Sequence, residues 1–196
     1  MRELSLFTGA GGGLLGTQHL LGWNGVGYVE WDEYCQKMLR VRIDDGLIDE
    51  APIFGDVRAF ISDGYAAAYT GLVDVITAGF PCQPFSVAGK QLAADDDRNM
   101  WPATAESISI IRPWYIFLEN VPGLVTSGYF GTILGDLVTL GYCVRWRVLS
   151  AAELGAPHRR DRLWILAHAG RPQQGRGEQS QRQQKGGDPN ITWDGT

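Results

Sequence analysis

A cysteine that could act as a nucleophile lies in the segment Gly79-Phe80-Pro81-Cys82-Gln83-Pro84. The preceding apolar run, residues 73–78, predicts a buried strand, so Cys82 follows the carboxyl end of that strand. Ligand crevices open at such strand ends in α/β sheets, and the flanking prolines restrict the backbone. A nucleophile must be a thiolate, which nearby positive charge favours. The alternative is the commoner role of a lone cysteine, a small buried side chain that only packs.

A carboxylate is predicted at the same edge of the sheet. Glu119 follows the apolar run Trp114-Tyr115-Ile116-Phe117-Leu118, which predicts another strand. If the two strands are neighbours, Cys82 and Glu119 face one pocket. A carboxyl group desolvated by Phe117 and Leu118 could hold a proton near neutral pH and act as a general acid. The alternative is a solvated strand end followed by a turn.

Two arginines form the third candidate group. Arg160 and Arg162 alternate on a segment that we expect to be extended, so both side chains point to the same side. Residues 145–162 hold five arginines against two acidic residues, although the whole chain has a net charge of -5. Contact with a phosphate or a substrate carbonyl is the functional interpretation, and a solvated basic face is the alternative.

A glycine-rich loop near the amino terminus predicts a cofactor site. Gly9-Ala10-Gly11-Gly12-Gly13 lies between a predicted strand and a predicted helix, where backbone N–H groups face a polar ligand. Glu30 follows Gly12 by 18 residues, close to the spacing at which a carboxylate binds a ribose. Leu14 stands where a nicotinamide fingerprint needs glycine, and the loop has no P-loop lysine. These features favour a ribose-bearing cofactor without a diphosphate, with a purely structural turn as the alternative.

Strands and helices alternate along the chain in the manner of an α/β fold with a mostly parallel sheet. Residues 83–99 are predicted to be irregular, and about 17 such residues in a compact domain usually form a functional or disordered segment. The hydrophobic pattern predicts strands over residues 4–7, 25–29, 73–78, 114–118, 142–149 and 163–167, with a short one near 54–57, and helices over 14–21, 32–42, 101–111 and 133–140.

The composition is that of one globular domain in a reducing compartment. The 196 residues are 44% hydrophobic and 20% charged, with neither a stretch long enough to span a membrane nor a secretion signal. Cys35, Cys82 and Cys143 are widely spaced, which supports neither a zinc site nor a disulfide framework. We predict a catalytic domain over residues 1–169 and a flexible Gln/Gly-rich tail over 170–196.

Taken together, these residues resemble the DNA cytosine-5 methyltransferase family. The resemblance covers about residues 4 to 167, and its motifs occur in the order of the family. The matching segments are Phe7-Thr8-Gly9-Ala10-Gly11-Gly12, Glu30-Trp31, Gly55-Asp56-Val57, Gly79-Phe80-Pro81-Cys82-Gln83-Pro84-Phe85-Ser86, Glu119-Asn120-Val121 and Arg160-Asp161-Arg162.

The resemblance implies a Rossmann-like class I methyltransferase fold, with helices on both faces of the sheet, and S-adenosyl-L-methionine as methyl donor. It implies no metal. Its catalytic residues would be Cys82, Glu119, Arg160 and Arg162. Its cofactor-binding residues would be Phe7, Gly9, Gly11, Gly12, Glu30, Trp31, Asp56, Val57 and Pro81.

The implied reaction takes place on a cytosine flipped out of double-stranded DNA. Cys82 would attack C6 of the ring, Glu119 would contact N3 and the exocyclic amine, and Arg162 would lie near the carbonyl oxygen with Arg160 beside it. The segment from Gln83 to Asn99 would close over the DNA. The implied setting is the cytoplasm of a prokaryote, or a phage, and includes restriction–modification.

Two departures from the family pattern leave alternatives open. His158 stands where the arginine motif usually begins with glutamine, and nothing after Ala169 resembles the family's target-recognition domain or its final Asn-rich segment. The chain is therefore predicted to be a cytosine-5 methyltransferase catalytic region, either a fragment or half of a split enzyme completed by a second polypeptide. The alternative is a non-catalytic remnant that binds cofactor or DNA. A nicotinamide oxidoreductase is a distant third, disfavoured by Leu14.

Overall fold

One seven-stranded sheet organises the part of the chain that the structure, a computed structural model, describes: residues 1–81 and 99–170. The strand order is β3-β2-β1-β4-β5-β7-β6, and the pairs among β1 to β5 are all parallel. β7 runs antiparallel to both of its neighbours. The strands are β1 (Arg2–Leu6), β2 (Asn24–Val29), β3 (Ile53–Phe54), β4 (Val75–Ala78), β5 (Tyr115–Asn120), β6 (Tyr142–Ser150) and β7 (Asp161–Ala169).

Helices connect the strands, and one predicted helix has an unexpected form. The segment predicted as a helix over residues 14–21 is a short α-helical turn continued by a π-helix over Leu15–Leu20. A 3-10 turn over Ala151–Leu154 joins β6 to β7. The α-helices are α1 (Gly12–Leu14), α2 (Glu33–Asp44), α3 (Val57–Ser62), α4 (Tyr65–Ala68), α5 (Trp101–Ile111), α6 (Gly123–Thr126) and α7 (Phe130–Thr139).

Successive side chains of a strand point to opposite faces of the sheet, so the strands contribute to two hydrophobic clusters, one on each face. On one face Leu4, Leu6 and Val29 join buried side chains of α3, α4, α5 and α7. On the other face Tyr28 packs with Leu14 and with Leu39 of α2. The predicted α/β fold, mostly parallel with helices on both faces, is therefore confirmed.

The parallel strands place several chain segments at one edge of the sheet. β1 to β5 all end at this edge, and antiparallel β7 begins there. The predicted functional residues that the structure describes follow these strand ends or, in the case of Arg160 and Arg162, lie just before and at the start of β7. Glu119 differs from the prediction only in lying inside β5, which extends to Asn120.

Besides Cys82, parts of two predicted segments lie outside the described residues. These are residues 83–98 of the predicted irregular segment and residues 171–196 of the predicted tail. Among the helices of the described chain, none combines the length and the apolar character needed to cross a membrane.

Candidate active site

The glycine loop leaves β1 through backbone conformations that side chains rarely adopt. Phe7 has a φ of 55°, which is unusual for a bulky residue and typical of functional loops. Gly9 and Gly11 also have positive φ values, 59° and 82°. A Cβ on Gly11 would lie 3.0 Å from Leu39 Cδ2, whereas a Cβ on Gly12 would meet nothing within 4 Å. Gly11 is thus required by the fold, and the open side of the loop lies along Gly9, Gly12 and Gly13.

Glu30 holds the glycine loop against the end of β2. Its Oε2 accepts a hydrogen bond from the backbone N–H of Gly9 at 2.6 Å, and its Oε1 accepts one from Asp32 at 2.8 Å. A carboxylate offers about four acceptor positions, so two remain for a ligand. The sequence spacing pointed to a ribose ligand, but it gave no signal for this contact with the loop.

The other predicted cofactor residues surround the ends of β2 and β3. Trp31 is 74% exposed, and its ring is available to a ligand. The Asp56 carboxylate accepts from the backbone N–H of Arg58 at 2.9 Å and caps α3. Val57 is only 3% exposed, because its side chain belongs to the core. A ligand would therefore contact the main chain of Val57 and not its side chain.

The end of β4 is fixed on two sides. The buried ring of Phe80 packs against the ring of Trp101, with the centroids 5.4 Å apart. The carbonyl oxygen of Phe80 accepts a hydrogen bond from Asn120 Nδ2 at 3.1 Å. Pro81 follows and is exposed. Cys82, the predicted nucleophile, is the next residue and lies outside the described residues.

Glu119 and Arg162 form an ion pair across neighbouring strands. Arg162 Nε lies 2.6 Å from Glu119 Oε1, and the two side chains are 24% and 35% exposed. The predicted desolvation of Glu119 is therefore incomplete, since Leu118 turns to the opposite face of β5 and a charged partner lies beside the carboxylate. A Cβ on Gly79 would lie 3.4 Å from Glu119 Oε2, so the end of β4 approaches this carboxylate closely.

The two predicted arginines occupy different positions. Arg162 lies inside β7, and its Nη1 also donates to the carbonyl oxygen of Asp161 at 2.8 Å. Arg160 precedes the strand, and its side chain is exposed. The structure thus brings Arg162 to Glu119 and leaves Arg160 at the surface beside this edge.

A buried polar network below the edge was not found by sequence reasoning. Trp101 Nε1 donates to Asp136 Oδ2 at 2.7 Å, and Asn99 Nδ2 donates to Tyr129 Oη at 2.8 Å. The backbone N–H of Trp101 donates to Asn99 Oδ1. The sequence predicted a helix over residues 101–111 that begins at Trp101, but no pattern identified the burial of Trp101 or its partner in α7.

The family assignment follows from a comparison with known proteins. The model of the family "C-5 cytosine-specific DNA methylase" matches residues 1–189 of the chain. The chain belongs to the C-5 cytosine-specific DNA methylase family. The matched range continues past residue 169, where the predicted catalytic domain ends.

Curated members of the methylase family are similar over most of this chain. The Type II methyltransferase M.NgoMIV of Neisseria gonorrhoeae is 35% identical over 168 residues, which are 84% of this chain and 51% of that protein. The Type II methyltransferase M.HaeII of Haemophilus aegyptius is 37% identical over 84% of this chain and 49% of its own length. The chain thus spans about half the length of these relatives.

Solved structures share the fold. The S. pombe Dnmt2 methyltransferase has a TM-score of 0.67 at 21% identity, covering 91% of this chain and 53% of that chain. The Entamoeba histolytica methyltransferase EhMeth has a TM-score of 0.61 at 18% identity, covering 94% and 57%. At these identities the likeness describes the architecture of the sheet and its helices.

Proposed function

We propose that this chain carries the catalytic region of a DNA cytosine-5 methyltransferase. The observation that carries the proposal is the Glu119–Arg162 ion pair beside the end of β4. A carboxylate and a guanidinium that meet at one point can bind a planar ring bearing both N–H and C=O groups. The chain continues from this point directly into Cys82.

The cofactor of the proposed enzyme is S-adenosyl-L-methionine. The carboxylate of Glu30 keeps free acceptor positions for two ribose hydroxyls, and the open side of Gly12 leaves room for a ligand against the loop. Phe7, Trp31 and Asp56 would contact the adenine, with Gly9, Gly11, Val57 and Pro81 completing the site. When bound, the cofactor supplies an electrophilic methyl group.

The protein side chains activate the cytosine. The Cys82 thiolate attacks C6, forming a C–S bond and moving the electron pair of the C5–C6 double bond to C5. Glu119, once it has taken up a proton and Arg162 has left the ion pair, donates that proton to N3 so that the ring accepts the negative charge. Arg162 then contacts the carbonyl oxygen, with Arg160 beside it. After C5 has gained the methyl group, a water molecule removes the C5 proton, the C5–C6 double bond re-forms and the Cys82 thiolate leaves. N3 returns its proton to the Glu119 carboxylate.

The proposed substrate is double-stranded DNA with the target cytosine flipped out of the helix. C5 and C6 lie inside the base stack, so the edge of the sheet can reach them only after extrusion. The exposed basic side chains at this edge, Arg159 and Arg160, are suited to phosphate contacts. We place the enzyme in a prokaryotic or phage-encoded restriction–modification setting, in the cytoplasm.

A methyl-transfer assay tests this proposal. The full chain is incubated with tritiated S-adenosylmethionine and mixed-sequence DNA, and acid-insoluble label is counted. The unaltered chain and Cys143→Ala, which changes an exposed cysteine, should transfer equally, and Cys82→Ala should transfer none. Transfer by Cys82→Ala at the parental rate would refute the proposed mechanism.

A second candidate is that activity needs a second polypeptide. This is supported by a partly uncovered region of the sheet, where Tyr115 and Leu166 on one face are 43% and 47% exposed. Apolar side chains exposed on one face favour a covering partner. In the same assay, a chain that binds the cofactor but transfers no methyl group would favour this candidate.

A further inference from the structure

Asn120 is the last residue of β5, and its side chain is buried although it is polar. It is 3% exposed and lies on the opposite face of the strand from Glu119, since successive residues of a strand alternate. Its Nδ2 donates to the carbonyl oxygen of Phe80 at 3.1 Å, and its Oδ1 accepts from the backbone N–H of Val121 at 2.8 Å. Both ends of the amide are therefore engaged with main-chain groups.

Phe80 is held independently by its ring. The ring packs against Trp101 of α5, and Trp101 in turn donates to Asp136 of α7. The core thus fixes the side chain of Phe80, and Asn120 fixes its carbonyl group. Phe80 precedes Cys82 by only two residues, so this carbonyl is part of the main chain that leads into the proposed nucleophile.

We propose that Asn120 is a positioning residue for methyl transfer, acting through the Phe80 carbonyl to hold the main chain before Cys82 in register with Glu119. This inference rests on the proposed function. The thiolate and the carboxylate must act on one ring, and a misplacement of about 1 Å can lower such a rate about 100-fold. Two adjacent residues of β5 would then have different roles. Glu119 would contact the substrate, and Asn120 would hold the main chain that leads to Cys82.

The amide suits this role because it combines a donor and an acceptor at the required length. Aspartate has the same shape, but it loses the donor and places an oxygen against the Phe80 carbonyl oxygen. Serine has one short hydroxyl, which cannot serve the two main-chain partners together. Asn120→Asp and Asn120→Ser are therefore two independent ways to remove the link.

A matched control lies on α5. Ser107 is fully buried, and its Oγ donates to the carbonyl oxygen of Ala103 at 2.9 Å. Ser107→Ala removes one buried hydrogen bond to the main chain without touching either end of the link. The control therefore shows what the loss of one buried hydrogen bond away from the link does to methyl transfer.

The test measures steady-state methyl transfer, KM values and thermal melting for the full chain, the two Asn120 variants and Ser107→Ala. We expect both Asn120 variants to lower kcat at least tenfold, with KM for cofactor and for DNA within twofold of the parent. Ser107→Ala should keep kcat within twofold. Parental kcat in the folded Asn120 variants would overturn the proposal. So would unfolding of both variants while Ser107→Ala folds, because Asn120 would then support the whole domain.

A second readout does not depend on activity. The rate of Cys82 alkylation by iodoacetamide is measured by mass spectrometry relative to that of the exposed Cys143. The ratio should change more than threefold in both Asn120 variants and stay constant in Ser107→Ala; an unchanged ratio rejects the positioning role. A parent chain without methyl transfer contradicts the proposed function instead, and the ratio still decides whether Asn120 fixes the cysteine.

Discussion

The substitution Gly12→Ala tests whether Gly12 is needed for cofactor binding or for the stability of the fold. Gly12 begins α1, its φ is not positive, and an added Cβ would meet nothing within 4 Å. Alanine is favoured over glycine in helices by roughly 0.5–1 kcal/mol. The substitution should therefore leave the free energy of unfolding unchanged or raise it by up to about 1 kcal/mol.

The same methyl group should weaken cofactor binding. If S-adenosylmethionine lies against the open side of the loop, a methyl group on Gly12 projects into its space. We expect the dissociation constant to rise at least tenfold, which corresponds to about 1.4 kcal/mol. Titration calorimetry with S-adenosylmethionine measures this change, and urea unfolding measures stability.

Two other glycines give the comparison its controls. Gly131→Ala makes the same change at an open position of α7, so it should leave cofactor affinity unchanged and, like Gly12→Ala, raise stability by up to about 1 kcal/mol. Gly11→Ala should cost about 1–2 kcal/mol of stability for the left-handed backbone alone, with a further penalty from the 3.0 Å approach to Leu39. Parental affinity in Gly12→Ala would refute the placement of the cofactor at this loop.

Three further predictions address stability and the proposed acid. Burial raises the pKa of Glu3, so the Glu3 carboxyl group binds a proton more readily in the folded state than in the unfolded state. As pH rises from 4 to 7, the unfolding free energy of the parent should therefore fall relative to that of Glu3→Gln. Urea titrations in which the parent does not lose stability relative to Glu3→Gln would contradict this. Trp101→Phe should cost about 1–3 kcal/mol by removing the bond to the Asp136 carboxylate, whereas Trp114→Phe, at a side chain 64% exposed, should cost under about 0.5 kcal/mol in the same measurement. Glu119→Gln should lower kcat for methyl transfer about 100-fold or more with cofactor affinity unchanged, and an unchanged kcat would remove Glu119 as the proton donor.

The strand ends were predictable because buried parallel strands appear as continuous apolar runs. Residues 73–78 and 114–118 are such runs, and the structure places β4 and β5 there as neighbours. This adjacency brings the chain before Cys82 close to Glu119, as expected. The direction of β7 was not predictable, because a period of two residues is the same in parallel and antiparallel strands.

The short helices and the contacts between side chains and the main chain could not be predicted from the sequence. α3 and α4 have six and four residues, too few to show a helical period, and no helix was predicted there. The short strand predicted near 54–57 ends at Phe54, and its last residue, Val57, instead begins α3. The bonds from Glu30 to Gly9 and from Asn120 to Phe80 join residues 21 and 40 positions apart. Composition and spacing carry no information on such pairs, which only the packed sheet brings together.

Covalent trapping tests directly whether Cys82 forms a bond to the target cytosine. The full chain, with S-adenosylmethionine, is incubated with DNA that contains 5-fluorocytosine, since fluorine at C5 prevents the loss of a proton that releases the thiol. We expect a denaturation-resistant protein–DNA complex whose cross-linked peptide, identified by mass spectrometry, contains Cys82. A cross-link at Cys35 or Cys143, or methyl transfer to ordinary DNA without any trapped complex, would contradict it.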